Sequence, residues 1–157
     1  MDRASVVNTY NEAYATAYNE RYLLSPWAKH GVDFEVEIIR EHIGDGPWLD
    51  VACGTGWVLS QFPDVERAGL DLSPDMLDQA RAANPGIEFT HGDMTYDIEA
   101  FHHRWSLVTC MWMAYCYLES MPEVEALVAN MARWTAPGGS AFIPSVIDLE
   151  DLRPHVQ

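Results

Sequence analysis

The chain has 157 residues, 48% of them hydrophobic, and a formal net charge of -15 from 24 acidic residues against 9 Lys plus Arg. That length suits one domain with a full core, since chains near it bury roughly 68–70% of their unfolded surface. The charge repels phosphate backbones and no apolar run reaches the ~20 residues of a membrane span, so nucleic acid and membrane are excluded as partners and a cationic or neutral small molecule is accommodated.

In chain order, a helix is expected over Val6 to Tyr18, with Val7, Tyr10, Tyr14, Ala17 and Tyr18 on one face and Tyr22 following. Val32, Val36, Ile39 and Ile43 recur at helical spacing, which predicts a second helix from Val32 to Ile43, stopped by Gly44-Asp45-Gly46-Pro47. Trp48 to Ala52 reads as a buried strand, and Val58 to Phe62 as a short helix after a glycine turn. Arg67 to Asp71 is the second strand; Ser73 then offers an N-cap and Pro74 a first helical position. The helix that follows carries Met76, Leu77, Ala80 and Ala83 on one side and ends at Asn84-Pro85-Gly86. Ile87 to His91 and Ser106 to Met111 are the third and fourth strands, the latter apolar enough to be central. Ser120-Met121-Pro122-Glu123 has the capping-box pattern ahead of an amphipathic helix with Val124, Leu127, Val128, Met131 and Trp134. Pro137-Gly138-Gly139 turns the chain into a fifth strand, Ser140 to Ile147.

Strands alternating with helices at this spacing predict an α/β fold: a Rossmann-like, doubly wound parallel sheet of about five strands behind an N-terminal helical segment. Residues 1–46 are assigned to that cap segment and residues 47–157 to the core, within one structural domain. The cysteines Cys53, Cys110 and Cys116 are an odd count without paired spacing, which reads as reduced thiols in a cytoplasm. Asp2-Arg3 with no apolar stretch behind it does not read as a signal peptide.

Ligands of such sheets sit beyond the carboxyl ends of the strands. The first loop there, Ala52-Cys53-Gly54-Thr55-Gly56, lets backbone amides crowd a ligand, and Asp50 stands inside the strand before it. A dinucleotide fingerprint needs a third small residue where this chain has Leu59, so NAD is disfavoured. Asp71 ends its strand 21 residues after Asp50, near the offset at which an acid accepts ribose hydroxyls; a helix-capping role is open to it too, although Ser73 already fills that one. In His91-Gly92-Asp93-Met94, a carboxylate can accept from an adenine amine while Met94 packs on the ring; the alternative is a turn aspartate.

Tyrosines at helical spacing more often serve packing than chemistry. Tyr18 and Tyr22, late in the first helix, and Tyr115 and Tyr117, past the fourth strand, are the candidates to box a ligand cation. His102-His103 adjoin Arg104 and read as surface, and neither zinc spacing nor a nucleophile elbow occurs, so no metal is expected.

Together these loops, the Val108-Thr109-Cys110-Met111 strand end and the Ala136-Pro137-Gly138-Gly139 turn resemble, in order, the motifs of class I S-adenosylmethionine-dependent methyltransferases. The resemblance spans roughly Tyr10 to Pro144 and is nearest the small-molecule N- and O-methyltransferases, including those of amino sugars. It implies S-adenosyl-L-methionine as cofactor and a small-molecule methyl acceptor. Asp50, Ala52, Cys53, Gly54, Thr55 and Gly56 would then hold the methionine part, and Asp71, with Leu72 and Met76 near it, the ribose side. Gly92, Asp93 and Met94 would hold the adenine, and Cys110, Met111 and Trp112 would line the transferring methyl, with Tyr18 as a further cofactor contact. Tyr18, Tyr115 and Tyr117 are the candidates for a catalytic role.

The family usually adds two further strands after the fifth, for which this sequence leaves too few residues. The alternative to an active methyltransferase is therefore a cofactor-binding domain that works within a larger enzyme or complex. The apolar fifth strand is expected to be covered, either by a second copy of the chain in a homodimer or by residues beyond this sequence.

Overall fold

The computed structural model describes residues 2–26 and 28–144. Two short helices, α1 (Arg3–Thr9) and α2 (Glu12–Tyr18), lead into a π-helical turn, Asn19–Leu23, and then α3 (Lys29–His42). After these come β1 (Trp48–Val51), α4 (Trp57–Ser60), β2 (Arg67–Asp71), α5 (Pro74–Ala83), β3 (Glu88–His91), β4 (Trp105–Cys110), α6 (Met121–Trp134) and β5 (Thr135–Phe142). Short 3-10 turns stand at Glu99–Phe101 and Ala114–Tyr117.

All five strands pair in parallel, in the order β3-β2-β1-β4-β5. The order reverses at β1 and β4, which opens a crevice at their carboxyl ends. Strand alternation sends side chains to two cores. Leu49, Val51, Val108 and Cys110 join Leu127, Met131 and Trp134 of α6 on one face. Trp48, Leu107 and Met111 join Ile39, Leu59 and Leu77 of α3, α4 and α5 on the other. Each fully buried aliphatic side chain in these layers contributes about 1.5–3 kcal/mol.

Several expectations are corrected. The single helix over Val6 to Tyr18 breaks at Tyr10, because Asn11 caps a new helix by accepting from the Tyr14 amide at 3.2 Å. A side chain that offers the backbone such an alternative ends a helix that periodicity alone would continue. The capping box at Ser120 does not close: Ser120 makes no side-chain cap bond, and Glu123 accepts from the Glu119 amide at 2.6 Å and pairs with Arg3. The fifth strand begins at Thr135, not Ser140. It runs through Pro137-Gly138-Gly139 with a register shift opposite Trp105 and Leu107, as a strand at the edge of a sheet can. The part of the expected strand from Ser145 to Ile147 lies outside the described residues.

Candidate active site

The crevice at the strand ends is a cavity of about 320 Å³, roofed by α1, α2 and the π-turn. Its floor starts from strand register. Asp50 of β1 lies between Gly69 of β2 and Thr109 of β4. Thr109 Oγ1 donates to Asp50 Oδ1 at 2.6 Å and itself accepts from Trp48 Nε1 at 2.8 Å, so the hydroxyl that orients the buried carboxyl is itself fixed. Burial pushes Asp50 up to about 7; the Thr109 hydroxyl opposes this, and the negative charges of Asp71 and Glu35 add to it.

The first loop follows at once. Ala52, Gly54 and Gly56 all have left-handed backbone, with φ of 58°, 55° and 66°. Gly54 needs that freedom: a Cβ there would also lie 3.2 Å from Met76 Cε. Its amide donates to Asp71 Oδ2 at 2.8 Å, and the Ser73 amide donates to Asp71 Oδ1 at 2.8 Å. Asp71 thus joins the first and second loops and keeps acceptor capacity, since a carboxylate offers about four lone-pair sites and three backbone amides act on this one. Burial raises its pKa, against the pull of the Ser73 and Gly54 amides. Two carboxyls that burial holds toward the neutral form, at one end of one cavity, suit a ligand carrying positive charge.

The third loop supplies Asp93. Thr95 donates to Asp93 Oδ1 from its amide at 2.8 Å and from its hydroxyl at 2.7 Å, and Arg3 Nε donates to Asp93 Oδ2 at 2.6 Å. Burial would raise this carboxyl, but the Arg3 and Thr95 bonds outweigh it and leave Asp93 below the usual range.

Short polar contacts tie the roof to the loops beneath. Besides Arg3 to Asp93, Ser73 Oγ donates to the Tyr10 carbonyl, Thr55 Oγ1 donates to Asn19 Oδ1, and the Tyr10 and Tyr117 hydroxyls share a hydrogen bond, each at 2.6 Å. Between these ties the tyrosines form a wall, with Tyr14 and Tyr22 stacked at 5.4 Å and Tyr18 5.3 Å from Tyr22. Burial pushes Tyr18 up to about 12, helped by the neighbouring Tyr117 and Asp71, and burial likewise raises Tyr10 and Tyr14. These phenols stay protonated at neutral pH and act as donors.

Of the residues singled out in sequence, the cavity is lined by Tyr18, Asp50, Ala52, Cys53, Gly54 and Thr55, by Asp71, Leu72 and Met76, and by Gly92, Asp93, Met94, Met111, Trp112 and Tyr117. Three stand elsewhere. Gly56 faces α5, where a Cβ would meet Asn84 Nδ2 at 2.9 Å. Cys110 points into the α6-side core, because alternation along β4 sends it opposite to Thr109 and Met111. Tyr115 packs against the same α6-side core, while Ala114 and Tyr117, three apart in a 3-10 turn, face the cavity.

Arg3, Val6, Tyr10 and Tyr14 also line the cavity, with Val6 in the place expected for Val7. The tyrosine ladder at positions 10, 14, 18 and 22 was the signal for two of them; Arg3 has no local signal, because its partner is 90 residues away. Among the described residues no group of three or more His, Cys, Asp or Glu side chains is placed to hold a metal ion. No helix among them is long and apolar enough to cross a membrane.

A methyltransferase domain profile matches residues 49–139, which runs from β1 through the turn within β5. The chain belongs to the methyltransferase domain family. It is 42% identical over 99 residues to dTDP-3-amino-3,6-dideoxy-alpha-D-glucopyranose N,N-dimethyltransferase of Streptomyces fradiae, covering 60% of this chain and 37% of that protein. To ubiquinone biosynthesis O-methyltransferase of Proteus mirabilis it is 33% identical over 104 residues, covering 62% of this chain and 41% of that one. Among solved structures, the S-adenosylmethionine-bound amino pentose methyltransferase of Micromonospora echinaspora involved in calicheamicin biosynthesis superposes with a TM-score of 0.67. It is 32% identical, with 88% of this chain and 58% of that chain covered. The chain thus spans about two fifths of the length of these curated relatives.

The residues present fit S-adenosylmethionine. The lining offers the acceptors that a ligand with positive groups, ribose hydroxyls and an adenine amine would need: the buried carboxyls of Asp50 and Asp71, and Asp93 beside Met94.

Proposed function

We propose that this chain provides the cofactor site of a small-molecule methyltransferase that acts on the nitrogen of an amino sugar. The observation that carries the reading is Asp71, which bridges the loops after β1 and β2, next to the strand-order reversal, and can still accept from a ligand. The amino-sugar acceptor is supported by the names of two relatives, from Streptomyces fradiae and Micromonospora echinaspora. Hydroxyl acceptors are the alternative, supported by the ubiquinone O-methyltransferases.

S-adenosylmethionine, when bound, supplies a methyl group already activated on a sulfonium. What the chain adds is alignment at ~3–3.5 Å and exclusion of water. Asp71, Gly54 and Asp50 fix the cofactor end of the cavity. The tyrosine wall and the apolar side chains of Val6 and Met111 enclose the cavity against water. In this reading Tyr18 and Tyr117 orient the acceptor as hydroxyl donors, and an acceptor amine arrives unprotonated or gives its proton to solvent. We also propose that the protein works in the reducing cytoplasm, and that β5, at the edge of the sheet, is covered by a second copy of the chain.

The test is a methyl-transfer screen over dTDP-linked amino sugars, free amines and phenols. Transfer to the amino sugars alone is the expected result. Transfer to phenols alone would move the reading to oxygen, and cofactor binding without any transfer would favour a domain that works only within a larger enzyme.

A further inference from the structure

Among the described residues Arg3 is the one Lys or Arg that lines the cavity, in a chain with 24 acids. Its guanidinium is held by three side chains, two in the loop after β3 and one in α6. Nε donates to Asp93 Oδ2 at 2.6 Å, Nη2 donates to Thr95 Oγ1 at 3.2 Å, and Nη2 pairs with Glu123 Oε1 of α6 at 3.1 Å. Glu123 is itself fixed, since its other oxygen accepts from the Glu119 amide at 2.6 Å. A surface arginine that merely tethered a helix end would need one of these partners.

The bonds around Asp93 say what the network is arranged to leave open. An ionised carboxylate has about four acceptor sites. On Oδ1, the Thr95 amide and hydroxyl take both. On Oδ2, Arg3 Nε takes one, which leaves a single acceptor site on an oxygen whose direction Arg3 fixes. A single N–H of an exocyclic amine needs one such site. A purine with oxygen in place of the amine would set an acceptor against it and be rejected.

We propose that Arg3 is a positioning residue for the cofactor's adenine: by fixing the direction of Asp93 Oδ2 and leaving it a single open acceptor site, it makes the site select a 6-amino purine. This rests on the cofactor reading above and adds to it a residue that lies outside the family match at 49–139. Arg3 acts through Asp93 and does not touch the reacting atoms. Without Arg3 Nε, Oδ2 loses the bond that fixes its direction, the carboxylate can turn away from a 6-oxo group, and selectivity falls.

The experiment is calorimetric binding of S-adenosylhomocysteine and of S-inosylhomocysteine, its 6-oxo counterpart, to the full chain and to Arg3→Gln and Arg3→Lys. Wild type is expected to prefer the amino form by on the order of 100-fold. Arg3→Gln should bind it about tenfold more weakly, and the preference should shrink to about tenfold or less; Arg3→Lys, which keeps the charge without the fork, should recover part of both. Thermal melts accompany each titration, and a melt close to wild type is expected because Arg3 stands in the first turn of a short peripheral helix. An Arg3→Gln protein that binds the amino form as tightly as wild type or tighter, or keeps the wild-type preference, overturns the inference while leaving the cofactor reading intact. A wild type that binds neither compound overturns both.

Discussion

The Gly54 amide donates to Asp71 Oδ2 at 2.8 Å, so the glycine loop of β1 and the end of β2 are held by one carboxylate before any ligand enters. Asp71 therefore has two roles that substitution cannot separate completely. Asp71→Ala should abolish measurable cofactor binding and also lower the melting temperature, because the Gly54 and Ser73 amides lose an acceptor worth on the order of 1.5–3 kcal/mol each. Asp71→Asn, which keeps one oxygen, should melt closer to wild type and still bind at least tenfold more weakly. Differential scanning fluorimetry with and without S-adenosylhomocysteine checks both. An unchanged dissociation constant in Asp71→Ala would reduce Asp71 to a strand-end residue.

Asp50 makes the ligand-free protein pH-sensitive in a direction opposite to that of most carboxylates. Its folded pKa, about 7, lies above the ordinary 3.8, so the folded state keeps a proton that the unfolded chain has released. That contribution to stability falls as pH rises from 3.8 to about 7 and is constant above it. Asp50→Asn, which can still accept from Thr109, should thus gain on wild type in melting temperature as pH rises through that window. Melts across the range that run parallel for the two proteins would show that Asp50 is ionised throughout.

A cationic ligand should reverse this. Binding of S-adenosylmethionine near neutral pH is expected to release a proton from Asp50, seen as a binding enthalpy that varies with the ionisation enthalpy of the buffer. No buffer dependence in wild type would place the positive groups away from Asp50.

Gly54→Ala tests the loop geometry alone. With φ at 55° and Met76 Cε 3.2 Å from the new Cβ, it should weaken cofactor binding by tenfold or more and shift the loop. The same substitution at Gly31, which is helical and has open space around it, should leave binding unchanged.

Much of this was legible in the sequence. The buried strand at Trp48 to Val51 was there to read, as were the Ser73-Pro74 start of α5, the acid inside β1 and the acid ending β2, because each rests on local pattern or capping. Local patterns misled where a long-range partner was stronger. Glu123 left its capping box for Arg3, and Pro137-Gly138-Gly139 read as a breaker although an edge strand tolerates it. Asn11 hid a helix break within a continuous tyrosine ladder. The ties that close the roof, Arg3 to Asp93 and Tyr10 to Tyr117, join residues 90 and 107 positions apart and have no local trace.

For the tyrosine wall, Tyr117→Phe should leave cofactor affinity within about twofold of wild type and lower methyl transfer by on the order of tenfold, because it removes the hydroxyl that spans from Tyr10 across the cavity. Cofactor titration beside turnover separates the two. Lost cofactor affinity with unchanged turnover would put Tyr117 on the cofactor side.

The most direct measurement is isothermal calorimetry of the full chain with S-adenosylmethionine and, separately, with NAD. The account predicts one saturable site for S-adenosylmethionine and no heat of binding for NAD, because buried Leu59 stands where a dinucleotide loop needs a third small residue. Binding of NAD, with none for S-adenosylmethionine, would contradict it.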